Sequence, residues 1–362
     1  ILWGGLWAYE ELGWGGYWSW DPVENGSLIP WLTGTALVHT LMAWQSRGVL
    51  KKTTVSLAIA TFALCNFATF LTRSGVFISL HAFSQSPIGW MFLVLLVAMA
   101  VGGAWLVAAR RSELTPDRPI RSIWAREALV LIATAALLLL AAAALAGTFA
   151  APLTRVVLDR AIALGPPFYN NALVPTGLLR LAGAAATPLR RWGNPPTRLR
   201  GRLLLFSAVA AAVAAGAVVC WGVRRSVPLI VASLAVLAVA AVAGAVILDM
   251  VRRESNQPRP GLAGPPQGIR RQYAGLLIHL GFVLLAVGVT GSSLGTRRRE
   301  VLMDQGQTIE WAGHSIHLVE LAQRDLPHRL VAEATLHIAR GNGAPHTLLP
   351  ARHLHLPREE WT

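Results

Sequence analysis

A polytopic, all-α membrane bundle with a small β-rich domain at its C-terminal end is the fold class this sequence predicts. Three observations carry the prediction. Hydrophobic residues make up 54% of the 362-residue chain and charged residues only 14%, against about 25% charged in an ordinary soluble protein. Uninterrupted apolar runs, among them 128–150, 203–223 and 227–250, each reach the roughly 20 residues that a helix needs to cross the hydrocarbon of a bilayer. Residues 294–362 lack such runs and alternate apolar with polar side chains instead.

Taken in order, the apolar runs predict eight spans, near 28–45, 54–72, 88–108, 127–149, 171–187, 203–223, 227–249 and 272–292. The fifth is the weakest, because Pro175 and Arg180 interrupt it and Pro188 follows it. Orientation comes from the loops. Arg47, Lys51 and Lys52 open a basic series that continues at 110–126, 190–202 and 252–271. The intervening loops hold few cations, Arg73, Arg155, Arg160, Arg224 and Arg225 among them. Basic loops stay on the cytoplasmic side. The chain is therefore expected in a bacterial inner (cytoplasmic) membrane, with its Trp-rich opening, the 73–87 loop and the tail after residue 293 in the periplasm. The same distribution accounts for the net charge of +14 without any nucleic-acid partner; lipid is the expected surroundings.

Three domains are expected on this basis: a Trp-rich periplasmic segment at 1–27, a helical bundle at 28–293, and a β-rich periplasmic domain at 294–362. Within the last, Glu333, Thr335 and His337 alternate with Ala334, Leu336 and Ile338, the period of a half-buried strand, and Gly341-Asn342-Gly343 offers a turn. The chain opens on Ile1, within a Trp-rich stretch, and is read as part of a longer protein.

Cysteine chemistry is not prominent. Cys65 and Cys220 both lie in apolar runs and neither belongs to a C-x-x-C pair, which speaks against a disulfide relay or a zinc site. The absence of C-x-x-C-H means that this chain is not a c-type cytochrome. The tail histidines (His314, His317, His328, His337, His346, His353 and His355) have no cysteine beside them and no ligand spacing of a standard metal site, so a solvated surface is expected for them.

The Trp-rich segment is different. Trp3, Trp7, Trp14, Trp18, Trp20 and Trp31 crowd around the start of one span, with Gly4, Gly5, Gly13, Gly15 and Gly16 among them. Indole rings belong at membrane interfaces, and an aromatic belt is one reading. A belt spreads its aromatics over many helix ends, however, whereas these cluster at one. Glycines let backbone approach a flat ligand, and aromatic faces give it an apolar stacking surface; a large planar ligand suits both. Asp21 and Glu24 resemble an acid–base pair at first sight. Asp-Pro-x-Glu is also an N-cap, a proline at N1 and a capping-box acid at N3, and this structural role is the one expected.

Two histidines lie inside predicted spans, His39 and His279. A polar side chain at membrane depth is costly unless partnered. One reading is a neutral imidazole hydrogen-bonded to a neighbouring helix. Another is metal ligation. His39 precedes Arg47 by the same number of residues as His279 follows Arg271, so both sit about 12 Å from the cytoplasmic boundary. Equal depth on two helices is what two axial ligands of one haem iron require. In the loop after the second span, His81 is either a solvated histidine or an iron ligand beside the Trp-rich segment. Arg73 stands near it, suited either to a carboxylate or to lipid headgroups.

The stretch Trp14-Gly15-Gly16-Tyr17-Trp18-Ser19-Trp20-Asp21 resembles the WWD signature of the haem-handling superfamily, with Tyr17 where tryptophan is common. Further stretches extend the resemblance over most of the chain: TGTALVHT at 33–40, FLTRSGVFISLHAF at 70–83, GPPFYN at 165–170 and RRQYAGLLIHLG at 270–281. Together they are similar to the later part of the CcmF family, the large haem lyase subunit of bacterial cytochrome c maturation. The resemblance implies a thioether-forming cytochrome c haem lyase that takes haem from the chaperone CcmE and joins it to the C-x-x-C-H motif of an apocytochrome c, with CcmH/CcmI-type apocytochrome-handling subunits as partners. It implies that His39 and His279 bind a haem b, which serves to reduce the substrate haem, and that His81 ligates substrate haem beside the platform of Trp14, Tyr17, Trp18 and Trp20; for Arg73 both readings, a haem propionate or the headgroups, stay open. The second periplasmic histidine of that family falls upstream of Ile1. Three alternatives share parts of this pattern: a haem exporter or relay, a CcsA-type synthase, and a membrane cytochrome b. The tail after the last span favours CcmF over the second, and the Trp cluster finds no purpose in the third.

Overall fold

The structure, a computed structural model, describes residues 1–11, 17–77, 79, 86–117, 126–186, 198–255, 267–295, 299–327, 329–341, 343–355 and 360–361. Two compact units divide the chain. One comprises Ile1–Leu6 and Gly16–Gly295, the other Trp7–Gly15 and Thr296–Thr362.

The helices are α1 (Leu2–Glu11), α2 (Pro22–Arg47), α3 (Lys51–Arg73), α4 (Ile88–Ala109), α5 (Arg126–Leu158), α6 (Pro166–Ala186), α7 (Arg198–Cys220), α8 (Ser226–Ser255) and α9 (Gln267–Gly295). Each expected span coincides with one of α2 to α9. Helix α1 was not expected; its glycines and tryptophans read as a platform rather than a helix. Among the described residues, five stretches are long and apolar enough to cross a membrane: Lys51–Arg73, Ile88–Ala109, Glu127–Leu158, Ser226–Gly244 and Ala274–Leu294. The apolar part of α7, Ala208–Cys220, is shorter. Helices α2 and α6 fall short because they carry polar side chains, Asn25, Thr33, His39 and Thr40 on one, Tyr169, Asn170, Asn171 and Arg180 on the other.

Packing explains why those two helices tolerate polarity. Helix α2 lies between α3 and α5, and α6 between α5 and α8, so both turn most of their surface to protein. Asn25, Thr33 and Thr40 are buried on α2, and Thr61 of α3 donates to the Thr33 hydroxyl at 3.0 Å. By contrast α4 leaves Met91, Val94, Val101 and Trp105 outward, and α9 does the same with Leu277, Ile278 and Leu284. An outward apolar face of this kind belongs against lipid. The chain is a multi-pass membrane protein with a mostly helical bundle.

The bundle has two cores. Ile29, Leu32, Phe67, Phe70, Leu137 and Leu140 centre the first, on α2, α3 and α5. Leu181, Ala185, Val231, Ala238 and Val283 centre the second, on α6, α8 and α9. At the basic end, Gly48 closes α2 in the left-handed conformation, φ 69°, a geometry that glycine reaches without steric cost. Its carbonyl accepts from Asp117 N at 3.0 Å, Lys51 pairs with the Asp117 carboxylate, and Arg47 pairs with Glu127 at 3.4 Å. The basic residues of that face therefore also fasten helix ends together. Pro175 stays within α6, and the Thr176 hydroxyl beside it donates to the Ala172 carbonyl at 2.5 Å.

The second unit holds an antiparallel sheet of β1 (Thr308–Trp311), β2 (His314–Leu326), β3 (Arg329–Arg340), β4 (His346–Leu348), β5 (Ala351–His355) and β6 (Glu360–Trp361), in the order β1-β2-β3-β5-β6, with β4 also on β3. The expected strand at 333–338 is the middle of β3. Gly341 follows at φ 54°, and Gly343 N donates back to the Arg340 carbonyl at 3.1 Å. In the β2–β3 pairing, His317 faces His337. Among the described residues no three His, Cys, Asp or Glu side chains gather as a metal site, and Cys65 and Cys220 are free thiols.

Candidate functional site

Helix α2 begins as its sequence requires. Asp21 caps it: its carboxylate accepts from Val23 N at 3.0 Å, and Glu24 completes the capping box by accepting from Asp21 N at 3.1 Å and Ser19 N at 2.9 Å. Ser79, in the loop after α3, donates to the same Asp21 carboxylate at 2.6 Å. That bond ties the segment leading to His81 to the head of α2. His81 and Trp14 themselves lie outside the described residues. Arg73 is exposed at the end of α3.

The remaining aromatic residues of the motif surround this cap. Tyr17 is exposed. Trp18 meets Trp20 edge to face with centroids 5.8 Å apart, and Trp20 stacks on Tyr169 at 4.4 Å. Trp20 has a positive φ of 64°, a strained conformation for a bulky residue. It turns the chain sharply into the Asp21 cap while the ring stays pinned on Tyr169. Proline suits the first turn of α6, where Pro166 and Pro167 stand, and Tyr169 follows one turn later. Gly147 on α5 makes room for it, since a Cβ there would stand 2.5 Å from the Tyr169 hydroxyl. Asn25 is fully buried, and the two N–H groups of its Nδ2 are shared among three acceptors, Thr148 Oγ1 at 3.1 Å, the Trp20 carbonyl at 3.3 Å and the Tyr169 hydroxyl at 3.4 Å.

Below this aromatic head, a cavity of about 200 Å³ runs along the seam between the two cores. Trp20 and Tyr169 line one end. Leu28 and Leu32 continue down α2, and Arg180 and Phe282 contribute from α6 and α9. Leu28, Leu32 and His39 recur at helical spacing on one face of α2, as His279 and Phe282 do on α9.

His39 and His279 meet across this seam, ring centroids 6.1 Å apart and planes at 87°. Each Nδ1 sits 2.7 Å from the carbonyl one turn back on its own helix, Thr35 for His39 and Gly275 for His279. A carbonyl only accepts, so each Nδ1 carries a proton, and in the neutral ring Nε2 is then the nitrogen with the lone pair. A hydrogen bond from one ring nitrogen to a backbone carbonyl fixes the orientation of the imidazole, as it does for metal-binding histidines. Two imidazoles on opposite sides of one metal, at bonds of about 2 Å plus a ring radius of about 1 Å each, have centroids about 6 Å apart. The observed centroid spacing matches that value.

The sequence placed His39 and His279 at one depth, and the fold brings them together. Reading the sequence missed Asn25, Tyr169 and Arg180. In the sequence Arg180 reads as an interruption of the fifth span, although a charge within a membrane helix is itself a functional signal. Tyr169 lies in the GPPFYN stretch but gave no sign of its stacking partner.

Comparison with known proteins agrees with this architecture. Residues 1–81 match the family described as cytochrome C assembly protein. The chain is 34% identical to the cytochrome c-type biogenesis protein CcmF of Pseudomonas aeruginosa over 98% of its length and 53% of that protein. It is 33% identical to CcmF of Escherichia coli K12, over 97% of this chain and 53% of that one. A solved structure titled cytochrome c heme lyase CcmF superposes with a TM-score of 0.63 at 26% identity, covering 97% of this chain and 52% of the other. The chain thus spans about half the length of the curated relatives it matches, and over that span it belongs to the CcmF family of cytochrome c biogenesis proteins.

Proposed function

We propose that this chain is the haem-handling part of a cytochrome c haem lyase, with a substrate site at the head of α2 and a resident haem b within the bundle. The observation that carries the reading is one helix serving both places: α2 emerges from the Trp18–Trp20 aromatic cluster and carries His39, farther along, to 6.1 Å from His279. The relatives named CcmF and the structure titled as a haem lyase support the same reading.

In this reading Trp14, Tyr17, Trp18 and Trp20 give substrate haem an apolar stacking surface on the periplasmic side of the inner membrane. His81 ligates its iron and Arg73 faces its propionates. Haem comes from CcmE, and CcmH/CcmI-type subunits present the apocytochrome c. Each thiol of the C-x-x-C-H motif adds its sulfur to one carbon of a vinyl group and its hydrogen to the other. One C–S and one C–H bond form, one S–H bond and the vinyl π bond break, and no electron is consumed. The protein's share is to hold the reactants together and exclude water. His39 and His279 hold the haem b through Nε2, with Nδ1 anchored to their own helices. When bound there, a haem supplies one-electron chemistry, suited to keeping substrate iron ferrous. Residues 1–27 form the platform, 28–293 the bundle and 294–362 the periplasmic β-rich domain.

Two measurements test the reading. The purified protein should show the optical spectrum of a bis-histidine haem, and His39→Ala or His279→Ala should abolish it; an unchanged spectrum in either variant rejects the resident site. Co-expression of the full-length protein with its partners and a C-x-x-C-H reporter should give covalent haem that His81→Ala eliminates. Covalent haem at the parental level in that variant removes His81 from the substrate site.

A further inference from the structure

Arg180 is a cation inside a membrane helix, and the lining of the seam cavity contains no other charged residue among those described. Its Nη1 donates to the Ala133 carbonyl at 3.2 Å, and its guanidinium lies over the Phe282 ring at 5.7 Å. Among the described residues no carboxylate forms an ion pair with it. Arginine has five N–H donors in a planar fork shaped for a carboxylate. One carbonyl and one aromatic face use little of that capacity. A charge in such surroundings is costly unless an anion meets it.

Position says which anion. Phe282, beneath the guanidinium, is one helical turn from His279 on α9, and Leu32 on the opposite wall is two turns from His39 on α2. The Phe282 contact therefore places the cation about one turn, or 5 Å of helix rise, from the level of His279, in a cavity that is otherwise nearly apolar. A porphyrin ring held by that pair has an apolar body and two carboxylates on one edge. An apolar seam with a lone guanidinium beside the imidazoles matches that shape. We propose that Arg180 binds a propionate carboxylate of the haem held by His39 and His279, and so fixes which edge of the ring faces α6. The proposal rests on the resident-haem reading above.

A lipid phosphate or a fatty-acid carboxylate offers the same chemistry, and the test separates these sources. The purified protein, freed of haem in detergent, is reconstituted with haem or with haem dimethyl ester, whose propionates carry no charge. Release of each to a haem scavenger is then timed. A charge-assisted bidentate bond is expected to make wild-type protein hold haem roughly ten- to a hundred-fold longer than the diester. Arg180→Gln should hold both equally, and Arg180→Lys should fall between. Equal retention of haem and diester by wild-type protein overturns the proposal, as does discrimination that persists undiminished in Arg180→Gln; either result leaves the anion to lipid. The wild-type comparison decides even if the variants do not fold. Failure of the underlying reading looks different: the bis-histidine spectrum then survives in His39→Ala, whatever the diester does.

Discussion

The Trp20 indole lies flat on the Tyr169 ring, centroids 4.4 Å apart and planes 3° from parallel. The contact joins the motif at the head of α2 to the start of α6, residues far apart in the chain. It also offsets a local cost, because Trp20 keeps a left-handed backbone with φ 64° that a bulky residue holds only when its surroundings dictate it. The two rings then line the end of the cavity whose other wall carries Arg180 and Phe282.

Gly147 sets the position of that stack. A methyl group on it would meet three atoms of the Tyr169 side chain at 2.5 to 2.6 Å. Gly147→Ala is expected to destabilise the protein by about 1–3 kcal/mol, the usual range for overpacking. Thermal unfolding in detergent measures it. Adding Tyr169→Leu should recover part of the loss, since it removes the ring that the methyl group strikes. Independent, additive losses in the double variant would contradict this coupling.

Asp21 separates architecture from chemistry. Its carboxylate accepts from Val23 N and from Ser79, and asparagine caps a helix about as well as aspartate does. Asp21→Asn should therefore keep near-parental stability and haem attachment, whereas Asp21→Ala should cost about 1 kcal/mol or more. Unfolding midpoints and the yield of covalent haem report the two effects. Loss of attachment in Asp21→Asn at normal protein level would mean that the carboxylate takes part in the reaction.

What the sequence made legible follows from range. Asp21-Pro22-x-Glu24 fixes a helix start through bonds spanning three residues, and that start is where the pattern put it. A histidine inside an apolar run is conspicuous by cost alone, so His39 and His279 were visible. Their meeting depends on how α9 packs near α2, which no local pattern encodes. Arg180 and Tyr169 are the opposite case. Each has its meaning only through residues on other helices, Ala133 and Phe282 for one, Trp20 and Gly147 for the other. Helix α1 escapes that reading because Trp and Gly describe a ligand surface and a weak helix equally well, and α2 and α6 are less apolar than their neighbours because each packs between two other helices.

Glu127 tests the basic end of the bundle. It is 7% exposed and pairs with Arg47 at 3.4 Å. Arg47→Met leaves that carboxylate buried without its cation. The expected cost is roughly 2 kcal/mol, less than a fully buried pair would lose, because the Arg47 side chain keeps 32% of its exposure. Arg47→Met with Glu127→Leu should recover most of it in a thermal melt. A double variant no better than the single would place the importance of Glu127 in contacts other than this pair.

The imidazole pair makes the most exacting prediction. Each Nδ1 sits 2.7 Å from a carbonyl of its own helix, and that carbonyl survives when the ring is removed. His39→Ala should therefore lose the bis-histidine spectrum and regain it when imidazole is added, because free imidazole finds both a place for its ring and an acceptor for its N–H. 1-Methylimidazole coordinates through the same kind of nitrogen but carries a methyl group where the hydrogen bond should form. It should bind roughly tenfold more weakly, the value of one neutral hydrogen bond, with a larger gap if the methyl group also clashes with Thr35. His279→Ala should behave the same way against Gly275. Optical titration of the two ligands gives both constants. Equal affinity would mean that the carbonyl contact does not orient the ligand, and that the rings owe their facing geometry to helix packing alone.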